Sequence, residues 1–164
     1  LGNEGAGFSY AMSGLDGGRL NIAAAALGGA QSALDKSVVY AAERKAFGKP
    51  VAKLGGNIDI IANSRMEIEQ ARLLTLKAAH MMDTADMREA RLWVSQIKVV
   101  APLVAQKIID AAIQMYGALG VSQDTPLATM WMANRTLRLA DGPDEVHRMV
   151  VARSVLKPYM AGTQ

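Results

Sequence analysis

Apolar residues recur along this chain at steps of three and four. Leu20, Ala23, Leu27, Ala30, Leu34, Val38 and Ala41 make one such stripe, the period of a helix with one buried face. Asp16 stands where an N-cap would, and Gly48 with Pro50 closes the segment. Ahead of it, Gly2 to Gly18 holds six glycines with Asn3 and Ser9 and reads as an irregular lead-in. The pair Gly28-Gly29 predicts close approach by a neighbouring helix or a ligand. A second helix is predicted from Asn57, after Gly55-Gly56, to about Met82, with Ile58, Ile61, Ala62, Met66, Leu73 and Leu76 on its apolar side.

Asp83-Thr84-Ala85-Asp86 is a turn with two possible N-caps. The stripe then resumes through Trp93, Ile97, Val100, Val104, Ile108, Ala111 and Met115, with Pro102 set to kink it and Gly117 and Gly120 to stop it. The last pattern runs Leu127 to Arg138, breaks at Asp141-Gly142-Pro143, and resumes from Asp144 to about Met160. No stretch alternates at period two for long enough to make a sheet. The predicted fold is all-α, an antiparallel up-down four-helix bundle with its last helix broken, in one domain over 1–164.

Composition narrows the function classes. The chain is 51% hydrophobic but only 5% aromatic, so its core is aliphatic. A net charge of +3 comes from Lys and Arg that are scattered, which argues against a nucleic-acid partner and suits a phosphate-bearing small molecule. With no cysteine, disulfide scaffolds, zinc ribbons and thiol nucleophiles are excluded. The longest uninterrupted apolar run, Ile22 to Ala30, falls short of the roughly 20 residues of a membrane span. The opening Leu1-Gly2-Asn3-Glu4-Gly5 has neither Met nor a basic leader, and the chain reads as a piece of a longer protein.

Few side chains carry chemistry on their own. Asp144 and His147 form one half of the carboxylate–histidine pairing that di-metal bundles need twice, and the other histidine, His80, is preceded at that spacing by Lys77. A metal site is not expected. Gly117-Ala118-Leu119-Gly120 is ordinary helix punctuation unless context makes it a phosphate loop. Arg44-Lys45-Ala46-Phe47-Gly48 places cations at a helix C-terminus, where they complement the dipole. Asp141 stands between Leu137, Leu139 and Ala140 and a Gly-Pro break. It either caps the last helix or faces a cleft as a general base.

Five stretches taken together resemble the C-terminal helical domain of the acyl-CoA dehydrogenase family over nearly the whole chain. They are Gly5-x-Gly7-Phe8, Leu15-Asp16-Gly17-Gly18-Arg19, Arg44 to Pro50, Gln114-Met115-Tyr116-Gly117 and Arg138-Leu139-Ala140-Asp141-Gly142. The resemblance implies an FAD cofactor. Arg44 would bind its pyrophosphate, in keeping with a guanidinium's planar fork, and Phe47 would pack near the adenosine. Gln114, Gly117 and Ala118, where the family has a second glycine, would approach the dinucleotide of a neighbouring subunit. Pro143 and Glu145 fall at further cofactor positions, and Asp16, Arg19 and Gly142 at positions lining the acyl-CoA site.

The family's usual base is a glutamate in Glu-Gly-Thr. Here Asp141-Gly142-Pro143 replaces it, resembling a subgroup that uses aspartate, with a reach shorter by about 1.5 Å and without the threonine hydroxyl. Gly55 stands where many members carry a cofactor-contacting glutamine. The implied reaction is α,β-dehydrogenation of an acyl-CoA with Asp141 as base, as in fatty acid β-oxidation, with electrons passing on to an electron-transferring flavoprotein. A dimer or tetramer is implied, in the cytoplasm of a bacterium or the mitochondrial matrix of a eukaryote. The N-terminal helical and middle β-domains of the family are expected to precede this chain, which alone is expected to be inactive. Two other readings stay open: a nitroalkane oxidase-like flavoprotein, which also uses an aspartate base, and a helical oligomerisation module with no active site.

Overall fold

A computed structural model describes residues 2–160. Helix α1 runs Gly7–Glu43, α2 Asn57–Thr84 and α3 Met87–Tyr116; α4 is a short Ala118–Val121 turn, followed by α5 Leu127–Leu137 and α6 Asp144–Met160. Between α1 and α2, strands β1 (Lys45–Ala46) and β2 (Lys49–Pro50) pair antiparallel around Phe47-Gly48, followed by a 3₁₀ turn at Val51–Lys53.

The core fixes the helix directions. Ala23 and Leu27 of α1 pack with Ile97 and Ala101 of α3, and Ala30 and Leu34 with Ala105 and Ile108. Residue numbers rise together, so α1 and α3 run parallel. Ala78 sits at the Ala23 end and Ile68 at the Ala30 end, so α2 runs antiparallel between them. Leu127 packs by Ala33, Ile109 and Ala112, and Leu137 ten residues later by the Ala30 cluster. His147 then reaches Ser95. Helices α5 and α6 are thus two halves of a fourth, descending helix broken at 138–143, as predicted. Buried alanines on α1 let its backbone approach α3 closely.

Three expectations are corrected. Helix α1 starts at Gly7, so most of the glycine-rich lead-in is helical. Asp16 does not cap it, because the carboxylate is buried and held by Arg19 Nη1 (2.9 Å) and Arg91 Nε (3.0 Å). No helix of the protomer closes on Gly28 or Gly29: nothing lies within 4 Å of a Cβ built on either. The third helix begins where expected. Asp86 is its N-cap, accepting from the N–H groups of Arg88 and Glu89. Pro102 lies inside an otherwise continuous α3, and Asn134 Nδ2 donates to its carbonyl at 2.8 Å.

By length and composition α3 could cross a membrane, but 56% of its most apolar window is buried within the fold. It is the central helix of the bundle.

Candidate functional site

The break in the fourth helix faces the seam between α1 and α3. Asp141 adopts φ +54° there, and Gly142 φ +104°. Gly142 is required twice over, since that φ disfavours a side chain and a Cβ would sit 3.0 Å from His147 Nε2. The backbone of the break is clamped. Arg19 Nε donates to the Asp141 carbonyl at 3.0 Å, and His147 Nε2 faces the same oxygen at 3.3 Å. Lys98 Nζ donates to the carbonyls of Leu137 (2.6 Å) and Gly142 (3.2 Å). The Asp141 carboxylate itself has no hydrogen bond or ion pair among the described residues, so it does not cap α6. Its Oδ2 points toward Gly18.

Charge around the break is arranged in layers. Buried Asp144 pairs with Arg138 Nε at 2.8 Å at the start of α6, where the helix dipole favours an anion. Its other oxygen, Oδ1, has no partner among the described residues. Burial pushes the Lys98 ammonium below its ordinary pKa, the Asp144 and Asp141 carboxylates pull it back up, and Arg19 adds to the lowering. Burial likewise lowers His147; the Asp141 carbonyl and Asp144 oppose this, while Arg19 and Lys98 reinforce it. A neutral imidazole has one N–H; facing a carbonyl, Nε2 carries it and donates, so Nδ1 accepts a hydrogen bond from the Ser95 hydroxyl at 3.4 Å. The half-motif Asp144–His147 is therefore spoken for by neighbouring groups; His80 is exposed.

The remaining candidates gather at the other end of α1. Tyr40 stacks on Tyr116 with centroids 4.0 Å apart, and the Tyr116 hydroxyl donates to the Lys36 carbonyl. This brings Arg44 and Phe47 to the same end as Gln114, Gly117 and Ala118, all of them exposed. Phe47, at the tip of the hairpin, is 94% exposed at φ +50°. Phe47 and Asp141 are the two non-glycine residues with positive φ among those described. Such strain persists where surrounding structure over-determines it, and it clusters at functional sites. Arg44 is the C-cap of α1, so the dipole reading of its charge also holds.

The two clusters do not meet. Arg19 and Glu43 are separated by 24 helical residues, about 36 Å at 1.5 Å per residue. Asp16, Arg19, Asp141, Gly142, Pro143 and Glu145 belong to the break; Arg44, Phe47, Gln114, Gly117 and Ala118 belong to the far end. Sequence reasoning missed Lys98, Ser95 and the structural part of His147. A signal existed for Lys98, which lies four residues after Val94 and three before Ala101, on the buried face of α3.

The chain is similar to known proteins over most of its length. The family model for the acyl-CoA dehydrogenase C-terminal domain matches residues 5–156. A Mycobacterium tuberculosis protein named probable acyl-CoA dehydrogenase FadE2 is 49% identical over 95% of this chain and 38% of its own length. Acyl-CoA dehydrogenase family member 11 of Gallus gallus is 48% identical over 92% of this chain and 19% of its own. The butyryl-CoA dehydrogenase of Megasphaera elsdenii superposes with a TM-score of 0.87 at 36% identity, over 95% of this chain and 40% of that one. This chain thus spans well under half the length of these relatives. It belongs to the acyl-CoA dehydrogenase family, as that family's C-terminal helical domain.

Proposed function

We propose that this domain serves an FAD-dependent acyl-CoA dehydrogenase in which Asp141 removes the α-proton of an acyl-CoA thioester. The observation that carries the reading is a carboxylate without a partner among the described residues, on a turn whose backbone is held by Arg19, His147 and Lys98. A base needs a fixed position and a free lone pair, and this turn supplies both. The α-proton passes to Asp141, the β-hydrogen departs with its electron pair, and a 2-enoyl thioester results. Bound FAD supplies the acceptor for that hydride. Asp16 and Arg19, paired beside the turn, line the approach of the thioester.

The far end suits the dinucleotide. An exposed guanidinium, an exposed aromatic ring and an exposed Gly117 with nothing within 4 Å of a Cβ built there offer a pyrophosphate a forked donor and an adenine a flat apolar face with room to approach. Helix α1 separates that end from Asp141 by more than one extended dinucleotide spans. This supports a division in which Arg44, Phe47, Gln114, Gly117 and Ala118 serve the cofactor of a neighbouring protomer, while Pro143 and Glu145 serve the local one. An electron-transferring flavoprotein would take the electrons onward. Similarity to proteins named dehydrogenases favours this reading over an oxidase.

The test is Asp141→Asn in the intact protein. Anaerobic flavin reduction by a saturated acyl-CoA should slow by several orders of magnitude with the flavin content unchanged; reduction at the wild-type rate would refute the base.

A further inference from the structure

Lys98 is the largest wholly buried side chain among the described residues. It sits in the middle of α3 with Val94, Ile97 and Ala101 on the same buried face. Stability alone does not call for a lysine there, because an apolar side chain of similar length avoids the cost of burying an ammonium. Its position is specific. The two carbonyls it donates to belong to Leu137, the last residue of α5, and Gly142, two residues before α6 begins. The ammonium therefore bridges both sides of the break, and Asp141 lies on the span between its two attachment points.

We infer that Lys98 is a positioning residue for Asp141: by pinning the carbonyls of Leu137 and Gly142 it fixes the strained turn that presents the carboxylate. The inference rests on the reading of Asp141 as the base. Arg19 and His147 hold the Asp141 carbonyl from the α1 and α6 sides, and Lys98 holds the turn from α3. Without it the left-handed conformation at Asp141 loses one of its three restraints, and the turn relaxes toward conformations a non-glycine residue prefers. Helices α5 and α6 keep their packing on α3 through Leu127, Asn134 and His147. The loss therefore falls on the break.

Lys98→Met in the intact, flavin-loaded protein tests this, with flavin reduction by a saturated acyl-CoA as the readout. Displacing a reacting group by about an ångström costs up to roughly a hundredfold in rate. The limiting rate should fall by at least about tenfold, with little change in half-saturating substrate. The same substitution made on Asp141→Asn should alter the residual rate by no more than about twofold, because two changes acting through one group are not additive. An undiminished limiting rate, or an equal loss on both backgrounds, overturns the inference while leaving Asp141 as the base. Wild-type reduction by Asp141→Asn alone overturns the base itself. If Lys98→Met does not fold, Lys98→Gln, whose uncharged amide nitrogen stands one bond short of the ammonium and so does not span both carbonyls, carries the same comparison.

Discussion

The carboxylate of Asp141 is aimed at Gly18 of α1: its Oδ2 lies 3.1 Å from a Cβ built there. That distance is tight, yet the atom in the way is the end of a side chain and can give. Alanine raises helix stability over glycine by about 0.5–1 kcal/mol. Gly18→Ala should therefore hold or raise the melting temperature while turning the carboxylate and slowing flavin reduction by about tenfold. Parallel losses of stability and rate would mean that Gly18 is needed for folding rather than for the site.

Much of this was legible in the sequence. The four-helix pattern with a broken fourth helix follows from the 3.6-residue stripes and the Asp141-Gly142-Pro143 break, because those signals are local. The start of α1 was not. Glycines at 14, 17 and 18 lower helix propensity, but a helix anchored by its packed remainder propagates through them. Asp16 looked like a cap; its use depends on Arg91, 75 residues away in sequence. Lys98 is not legible in the sequence because its partners are backbone carbonyls, which no side-chain motif announces.

Arg44 is exposed and has no ion pair among the described residues, so its removal should leave the fold intact. Losing a charge-assisted pair to a pyrophosphate costs about 1.5–3 kcal/mol, roughly ten- to a hundredfold in affinity. Intact Arg44→Ala protein should leave a desalting column depleted in flavin, with its helical circular dichroism unchanged. A full flavin complement would remove Arg44 from the cofactor site.

His147 gives the fold a pH dependence of known sign. Its folded pKa lies below the ordinary 6.5, so the unfolded chain binds more protons in the interval beneath that value. Stability from this group is complete above about pH 6.5 and is lost as pH falls toward the folded pKa. Asp144 and the Asp141 carbonyl favour the imidazolium; burial, Arg19 and Lys98 disfavour it. Thermal melts between about pH 7.5 and 5.5 should fall more steeply for the wild type than for His147→Gln, which cannot titrate. Equal slopes would place the dependence elsewhere.

Assembly is the last expectation, and the outer faces of α1 and α2 point to it. Leu73 and Leu76 are 66% and 59% exposed, with Ile58 and Met66 further along the same helix also open to solvent. Leu76 lines a groove with Ala24, Leu27, Gly28 and Gln31 of α1. Small residues on one wall and leucines on the other let a partner helix approach closely. Gly28, with nothing within 4 Å of a Cβ built on it, leaves room in this groove for a neighbouring protomer. On the proposed reading the far-end cluster adds its own demand, since Arg44 and Gln114 lie at the opposite end of α1 from the Asp141 of their own chain and would serve the cofactor of a neighbour. A permanent interface of this kind buries more than about 2,000 Å², and two-fold symmetry would make it a dimer, or a pair of dimers. The 164-residue chain should elute as an oligomer by light scattering at tens of micromolar. Leu73→Asp with Leu76→Asp should shift it toward the 17.4 kDa monomer without loss of helix. A monomer before any substitution would show that this face does not hold the assembly together.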